Sequence, residues 1–166
     1  MNSDNRGFSL VELIVVILIM AIMAGGAVMS AVVIHDADVS AAADELVAML
    51  TSTRKTSIAR EDGAVRLVLT MEDDKYYACM YYDDDNDSST DEVVLDKQKL
   101  GGKSIKITVS GIAGAADKVV TASNPVEFHF KKANGSLNEA YTKIKIEGSK
   151  TEEITVIKET GRCIME

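Results

Sequence analysis

"RGFSLVELIVVILIMAIMAGGAVMSAVVI", residues 6–34, is the stretch whose reading decides the fold. From Leu13 to Ile34 it carries no charge, and Ser30 is its one clearly polar side chain. At ~1.5 Å per residue a helix of that length reaches roughly 33 Å, enough for the hydrocarbon core of a bilayer. A cleavable secretory signal has a shorter apolar region and a small-residue cleavage site after it. Here the run is longer, and "AVVIHDA" offers no such site. Arg6 precedes the span while Asp36 and Asp38 follow it, so the positive-inside tendency keeps the amino terminus cytoplasmic and sends the rest outside. Glu12 interrupts the pattern. A carboxylate close to lipid costs on the order of a few kcal/mol unless it reaches the interface or meets a cation. Chemistry alone leaves both readings open: Glu12 at headgroup level, or Glu12 awaiting a positive partner.

The whole chain has 166 residues and a formal net charge of −8, with a sequence pI near 4.8. That length suits one domain of ordinary size behind the apolar segment. The acidic balance argues against nucleic acid as a partner, since phosphate affinity rests on Lys and Arg. There are two cysteines, Cys79 and Cys163, far apart in sequence and in no CxxC or Cys/His cluster, which argues against structural zinc. Two readings stand for them: one disulfide in an extracellular domain, or two separately buried thiols. No nucleophile elbow, HExxH or P-loop pattern occurs, so the sequence predicts no enzyme.

The letters "RGFSLVELIVVI" are similar to the class III signal of type IV prepilins and secretion pseudopilins. The shared elements are a short polar leader ending in Gly7, then Phe8, then Glu12 as fifth residue of the mature chain, then the apolar run. The resemblance implies cleavage between Gly7 and Phe8 by a prepilin peptidase, followed by N-methylation at Phe8. It implies a cytoplasmic-membrane precursor with its amino terminus in and its domain out, and later an extracellular or periplasmic filament. The implied partners are other pilin or pseudopilin subunits, the peptidase and an inner-membrane assembly platform. In such families Glu12 would face the terminal amine of a neighbouring subunit, which neutralises a charge in an apolar bundle. The proline that many major pilins carry in this helix is missing; the one proline here is Pro125. Gly25-Gly26 reads as close helix packing by small residues.

Past the apolar run, "DADVSAAADELVAMLTSTRKTSIAR" places Val39, Ala43, Leu46, Leu50 and Ile58 on one stripe. Arg54, Lys55 and Arg60 sit where cations suit a helix carboxyl end, and Gly63 marks the stop. One helix is therefore expected over about 8–60, apolar all round in its first half and amphipathic in its second. After Gly63 the period changes to two. Strands are expected at 64–71, 75–82, 92–96, 104–111, 125–131, 141–148 and 152–159. Asp73-Asp74, Gly101-Gly102, Asn134-Gly135 and Gly148-Ser149 are the turn signals between them.

The expected fold is α+β and pilin-like: a long helix packed on an antiparallel sheet, with no βαβ unit. Its segments are a leader (1–7), a transmembrane or filament-core helix (8–34), an amphipathic helix (35–62) and an antiparallel β domain (63–166). The order helix, "DGAVRLVL", acidic turn, "VEFHFKKANGS" and final "GR" resembles the GspH/FimT group of minor pilins and pseudopilins.

Other features have weaker readings. In "DDDNDSSTDE" (83–92), Asp83, Asp85 and Asp87 alternate like the start of a calcium loop. Ser88 stands where that loop needs glycine, and Val94 where it needs glutamate, so a solvated acidic loop is the simpler account. His35 and His129 show no local partner and read as surface residues. Some FimT-like subunits bind DNA through carboxyl-terminal arginines; Gly161-Arg162 matches the start of such a tail, and Lys131 and Lys132 extend it if they lie nearby. Strand alternation puts Tyr76 and Tyr82 on one face and Tyr77 and Tyr81 on the other. The expected function is a non-enzymatic filament subunit without a cofactor. The alternatives are an unprocessed membrane-anchored binding domain and a DNA-binding minor pilin.

Overall fold

A computed structural model describes residues 10–60, 64–83, 93–111 and 116–165, with side chains left out between 25 and 37. The chain divides into two units, Met1–Ile34 and His35–Glu166, and one helix, α1 (Leu10–Ala59), contributes to both. Good helix formers such as the Ala, Glu, Leu and Met of "SAAADELVAML" carry its second half. Of the three cations expected at its carboxyl end, Arg54 and Lys55 lie one turn before the end of α1 and none lies in the last turn. Arg60 follows the helix instead, donating its backbone N–H to Thr56 O and laying its guanidinium over the Tyr82 ring at 4.0 Å.

In the second unit the buried stripe of α1 runs Val39, Ala43, Leu46 and Leu50, as the periodicity predicts. Ile58 departs from it and is 41 % exposed. The line 46, 50, 53, 57 continues the helical spacing of three and four, so Thr53 and Ser57 occupy the buried positions. Their hydroxyls are satisfied: Thr53 donates to Met49 O at 2.7 Å, and Ser57 donates to Phe130 O at 2.7 Å. A buried hydroxyl without such a partner would cost about 1–3 kcal/mol.

Among the described residues nine strands follow: β1 (Ala64–Glu72), β2 (Lys75–Asp83), β3 (Val93–Gly101), β4 (Lys106–Gly111), β5 (Lys118–Val119), β6 (Val126–His129), β7 (Tyr141–Glu147), β8 (Thr151–Ile157) and β9 (Arg162–Met165). They form two antiparallel sheets rather than the single one expected, in the orders β3-β2-β1-β6 and β5-β4-β7-β8-β9. Val65, Leu67, Leu69, Ala78, Met80 and Phe128 of the first sheet share one core with Ile107, Val109, Ile144, Ile146, Ile154 and Val156 of the second and with the stripe of α1. Period-two text identifies an inward face but does not say which sheet a strand joins.

Three turns follow local rules. Asp73 and Asp74 (φ 47° and 59°) close the β1–β2 hairpin between paired Glu72 and Lys75, the two-residue geometry that requires positive φ at both positions. Gly135 and Gly161 (φ 68° and 63°) close the turns after β6 and after β8. Gly161 N–H donates to Ile157 O at 2.7 Å, and Gly135 N–H to Lys131 O at 2.7 Å.

Candidate functional site

The first unit presents the most unusual surface. Every described side chain from Leu10 to Ala24 is exposed, and the large ones include Leu10, Ile17, Leu18 and Met23. An α-helix with isoleucine, leucine, valine and methionine on all sides has no polar face to give to water. A contiguous apolar surface of this kind marks a place where lipid or protein must cover it. Among the described residues no helix is long and apolar enough to cross a membrane. In the sequence the uncharged run continues through 25–34, whose side chains lie outside the described ones. Glu12 is in the first turn of α1 and exposed, where a carboxylate complements the partial positive charge of the helix end. Gly7 and Phe8 lie outside the described residues.

The two thiols need a correction. Cys79 and Cys163 are free and lie on different sheets. Alternation explains why they do not meet. Ala78 and Met80 face the core, so Cys79 faces away from it, opposite Val68 and Lys97. Cys163 is paired with Val156 and packs against the core. Burial pushes the Cys163 thiol up to about 11, although Arg54 opposes the shift, and burial also raises Cys79. Both are poor thiolate sources at neutral pH.

The acidic segment is described only in part. Asp83 ends β2, while Asp85 and Asp87 lie outside the described residues. Among the described residues no group of three or more His, Cys, Asp or Glu is placed to hold a metal ion.

Arg162 begins β9 and is exposed. The glycine before it serves the turn: a Cβ at Gly161 would collide with Gly135 O and press on Phe130 and Arg54. Arg54 donates from Nε to Thr160 O at 2.6 Å, tying α1 to the same turn. The Lys131–Gly135 turn and the start of β9 are therefore neighbours, and both Lys131 and Lys132 are exposed.

His129 differs from the surface residue expected. It is half-buried at the end of β6, with Nδ1 2.5 Å from Glu139 Oε1 and its backbone N–H donating to Glu139 Oε2 at 2.9 Å. The Glu139 hydrogen bond raises its pKa, with burial and Arg66 opposing and Glu127 (3.7 Å from Nε2) assisting. Glu139 is ten residues away along an irregular loop, so no periodic signal joins the two. The tyrosines divide as alternation predicts. Tyr76 is buried and Tyr82 packs on the core, whereas Tyr77 and Tyr81 lie on the outer face under Lys97 (4.6 Å) and Arg66 (5.6 Å).

Residues 2–28 match the family model described as a prokaryotic N-terminal methylation motif, the class III signal of type IV pilins. The match covers the amino-terminal segment, including Gly7, Phe8 and Glu12. No curated protein and no solved structure matches the chain.

Proposed function

We propose that the chain is a structural subunit of a type IV pilus, a type II secretion pseudopilus or a competence filament, in the manner of the GspH/FimT minor subunits. One observation carries this reading: a methylation motif runs directly into a helix whose described side chains from Leu10 to Ala24 are all exposed and almost wholly apolar. A leader that is removed at Gly7–Phe8 leaves the apolar helix on the mature protein. That helix then needs two successive environments, lipid before assembly and neighbouring helices afterwards.

The steps follow from the residues. The uncharged run 13–34 holds the precursor in the cytoplasmic membrane with its leader inside. Hydrolysis of the Gly7–Phe8 peptide bond frees a cationic amine at Phe8, and methylation retains its charge. Glu12 stands four residues along the chain, where its carboxylate meets the amine of a neighbour and both lose their cost in apolar surroundings. The Glu12 pairing sets the axial register of the subunit. The GspH/FimT assignment is supported by the sequence order and by a helix followed only by antiparallel strands among the described residues.

Mass spectrometry of the mature amino terminus in a host with a prepilin peptidase tests the reading. The expected terminus is N-methylated Phe8, and Gly7→Leu leaves the precursor intact. A mature chain that retains residues 1–7 would overturn it in favour of an unprocessed membrane-anchored binding domain.

A further inference from the structure

β6 is an edge strand of the first sheet, so the backbone groups on its far side have no strand to bond to. At His129 the chain that follows covers them. It turns over 131–135 and returns to the core at Leu137, which bridges Phe130 and donates its N–H to Lys158 O at 2.8 Å. Asn138, Glu139 and Ala140 then form a short limb before β7, with Asn138 and Ala140 exposed. Among the described residues three hydrogen bonds fasten this limb to β6, and all three end on His129. Asn138 N–H donates to His129 O at 2.9 Å. The Glu139 carboxylate takes the other two, from the His129 backbone N–H at 2.9 Å and from Nδ1 at 2.5 Å.

One residue therefore decides how firmly the limb is held, and its surroundings respond to a proton. Glu139 faces Nδ1 from the limb. Glu127, on β6 itself, lies 3.7 Å from Nε2, and Arg66, opposite His129 on β1, stands 3.8 Å from the same Glu127 oxygen. Two carboxylates against one guanidinium make a field that favours an imidazolium. With both ring nitrogens protonated, His129 donates to Glu139 and presents a second N–H to Glu127. When the Nε2 proton leaves, Nδ1–H still reaches Glu139 but without the charge, and a lone pair on Nε2 faces the Glu127 carboxylate. A charge-assisted hydrogen bond is about twice as strong as a neutral one, so the limb loses its firmest hold. The raised pKa of His129, whose first cause is the Glu139 hydrogen bond, agrees in direction.

We propose that His129 is a proton-operated latch: its imidazolium holds residues 138–140 closed over the β6 edge, and loss of the proton lets that limb open while both sheets stay folded. The opening is local because its two ends are anchored. Leu137 is buried on one side, and on the other β7 is paired along both of its edges, with β4 and β8. In the open state the outward N–H and C=O of His129 meet solvent, so a covered strand edge becomes a bare one.

Amide exchange in the full chain in detergent tests the proposal, followed between about pH 6 and 9 and corrected for the intrinsic rate. An opening linked to one proton rises about tenfold for each pH unit above 6.5 and levels off at the folded-state pKa of His129. That rise is expected at the His129 and Asn138 amides. Their exchange should also outpace that of the β7–β8 ladder and ignore low concentrations of denaturant, because a local opening exposes little surface. Glu139→Gln keeps the shape and removes the charge, and its two latch amides should open readily across the whole range. Opening at those amides that does not change with pH overturns the proposal. So does exchange that occurs only together with the β7–β8 ladder, which would reduce the pair to a contribution to global stability. The wild-type series reads both outcomes, so neither depends on the variant folding.

Discussion

Gly161 packs so closely on Gly135 that a single methyl group at 161 would collide with the Gly135 carbonyl oxygen. Both residues have positive φ, and Arg54 of α1 flanks both, within 3.1 Å of a Cβ at either position. The turn after β6, the turn after β8 and the carboxyl end of the helix are thus fastened at one point. Gly161→Ala is expected to destabilise the chain by about 2–4 kcal/mol, combining left-handed backbone strain with the displaced turn. Gly102→Ala, whose added methyl meets only Asp74 O at 4.0 Å, is the control and should cost less than about 1 kcal/mol. Denaturant unfolding of the two variants in the same detergent compares them directly.

The same fastening shows what was legible in the sequence. Turn residues and alternation gave the places of most strands and the inward faces, because both are local signals. Val39, Ala43, Leu46 and Leu50 identified the buried side of α1 for the same reason. Partnerships across distance were not legible. Ser57 bonds to Phe130 O, Arg54 to Thr160 O and His129 to Glu139, and each link depends on how two sheets meet one helix. β9 escaped the strand list because "RCIM" follows a glycine turn and is too short for a periodic signal. Gly161-Arg162, legible as a motif, turned out to owe its glycine to steric closeness.

The His129–Glu139 contact gives a pH dependence whose sign follows from the raised histidine pKa. A folded-state pKa above the unfolded value near 6.5 means that protonation favours the fold. The contribution is complete below the unfolded value and disappears as pH rises through the folded one. Glu139→Gln should bring the His129 titration back toward the ordinary range and flatten stability over that window. Imidazole chemical shifts followed from pH 5 to 9 report the pKa directly. A titration midpoint unmoved by Glu139→Gln would contradict the account.

The β1–β2 hairpin holds two non-glycine residues at positive φ, Asp73 and Asp74. Left-handed backbone costs an L-residue roughly 1–2 kcal/mol, less for Asp and Asn than for others. Asp74→Gly removes that strain where a primed two-residue turn prefers glycine. It also removes the Lys103–Asp74 ion pair of 2.7 Å, but both partners are exposed and the pair contributes little. A net stabilisation of about 0.5–1 kcal/mol is expected, seen as a higher melting temperature. A lower melting temperature would show that the Lys103 contact outweighs the backbone.

Glu12 is exposed on a helix turn surrounded by exposed leucine, valine and isoleucine, and in the proposed reading its carboxylate is matched by a group outside this chain. If that group is the methylated amine of a neighbouring subunit, processing and assembly separate cleanly. In the proposed reading the peptidase acts at Gly7–Phe8 on a membrane-bound precursor, which does not require the partner amine. Glu12→Ala should therefore be cleaved and methylated normally yet be absent from sheared filaments. Glu12→Gln keeps the size and hydrogen bonding but not the charge, and should fail as well. Quantitative mass spectrometry of the membrane and filament fractions separates the two steps. Filaments that contain Glu12→Gln at the normal level would mean that shape, not charge, sets the register.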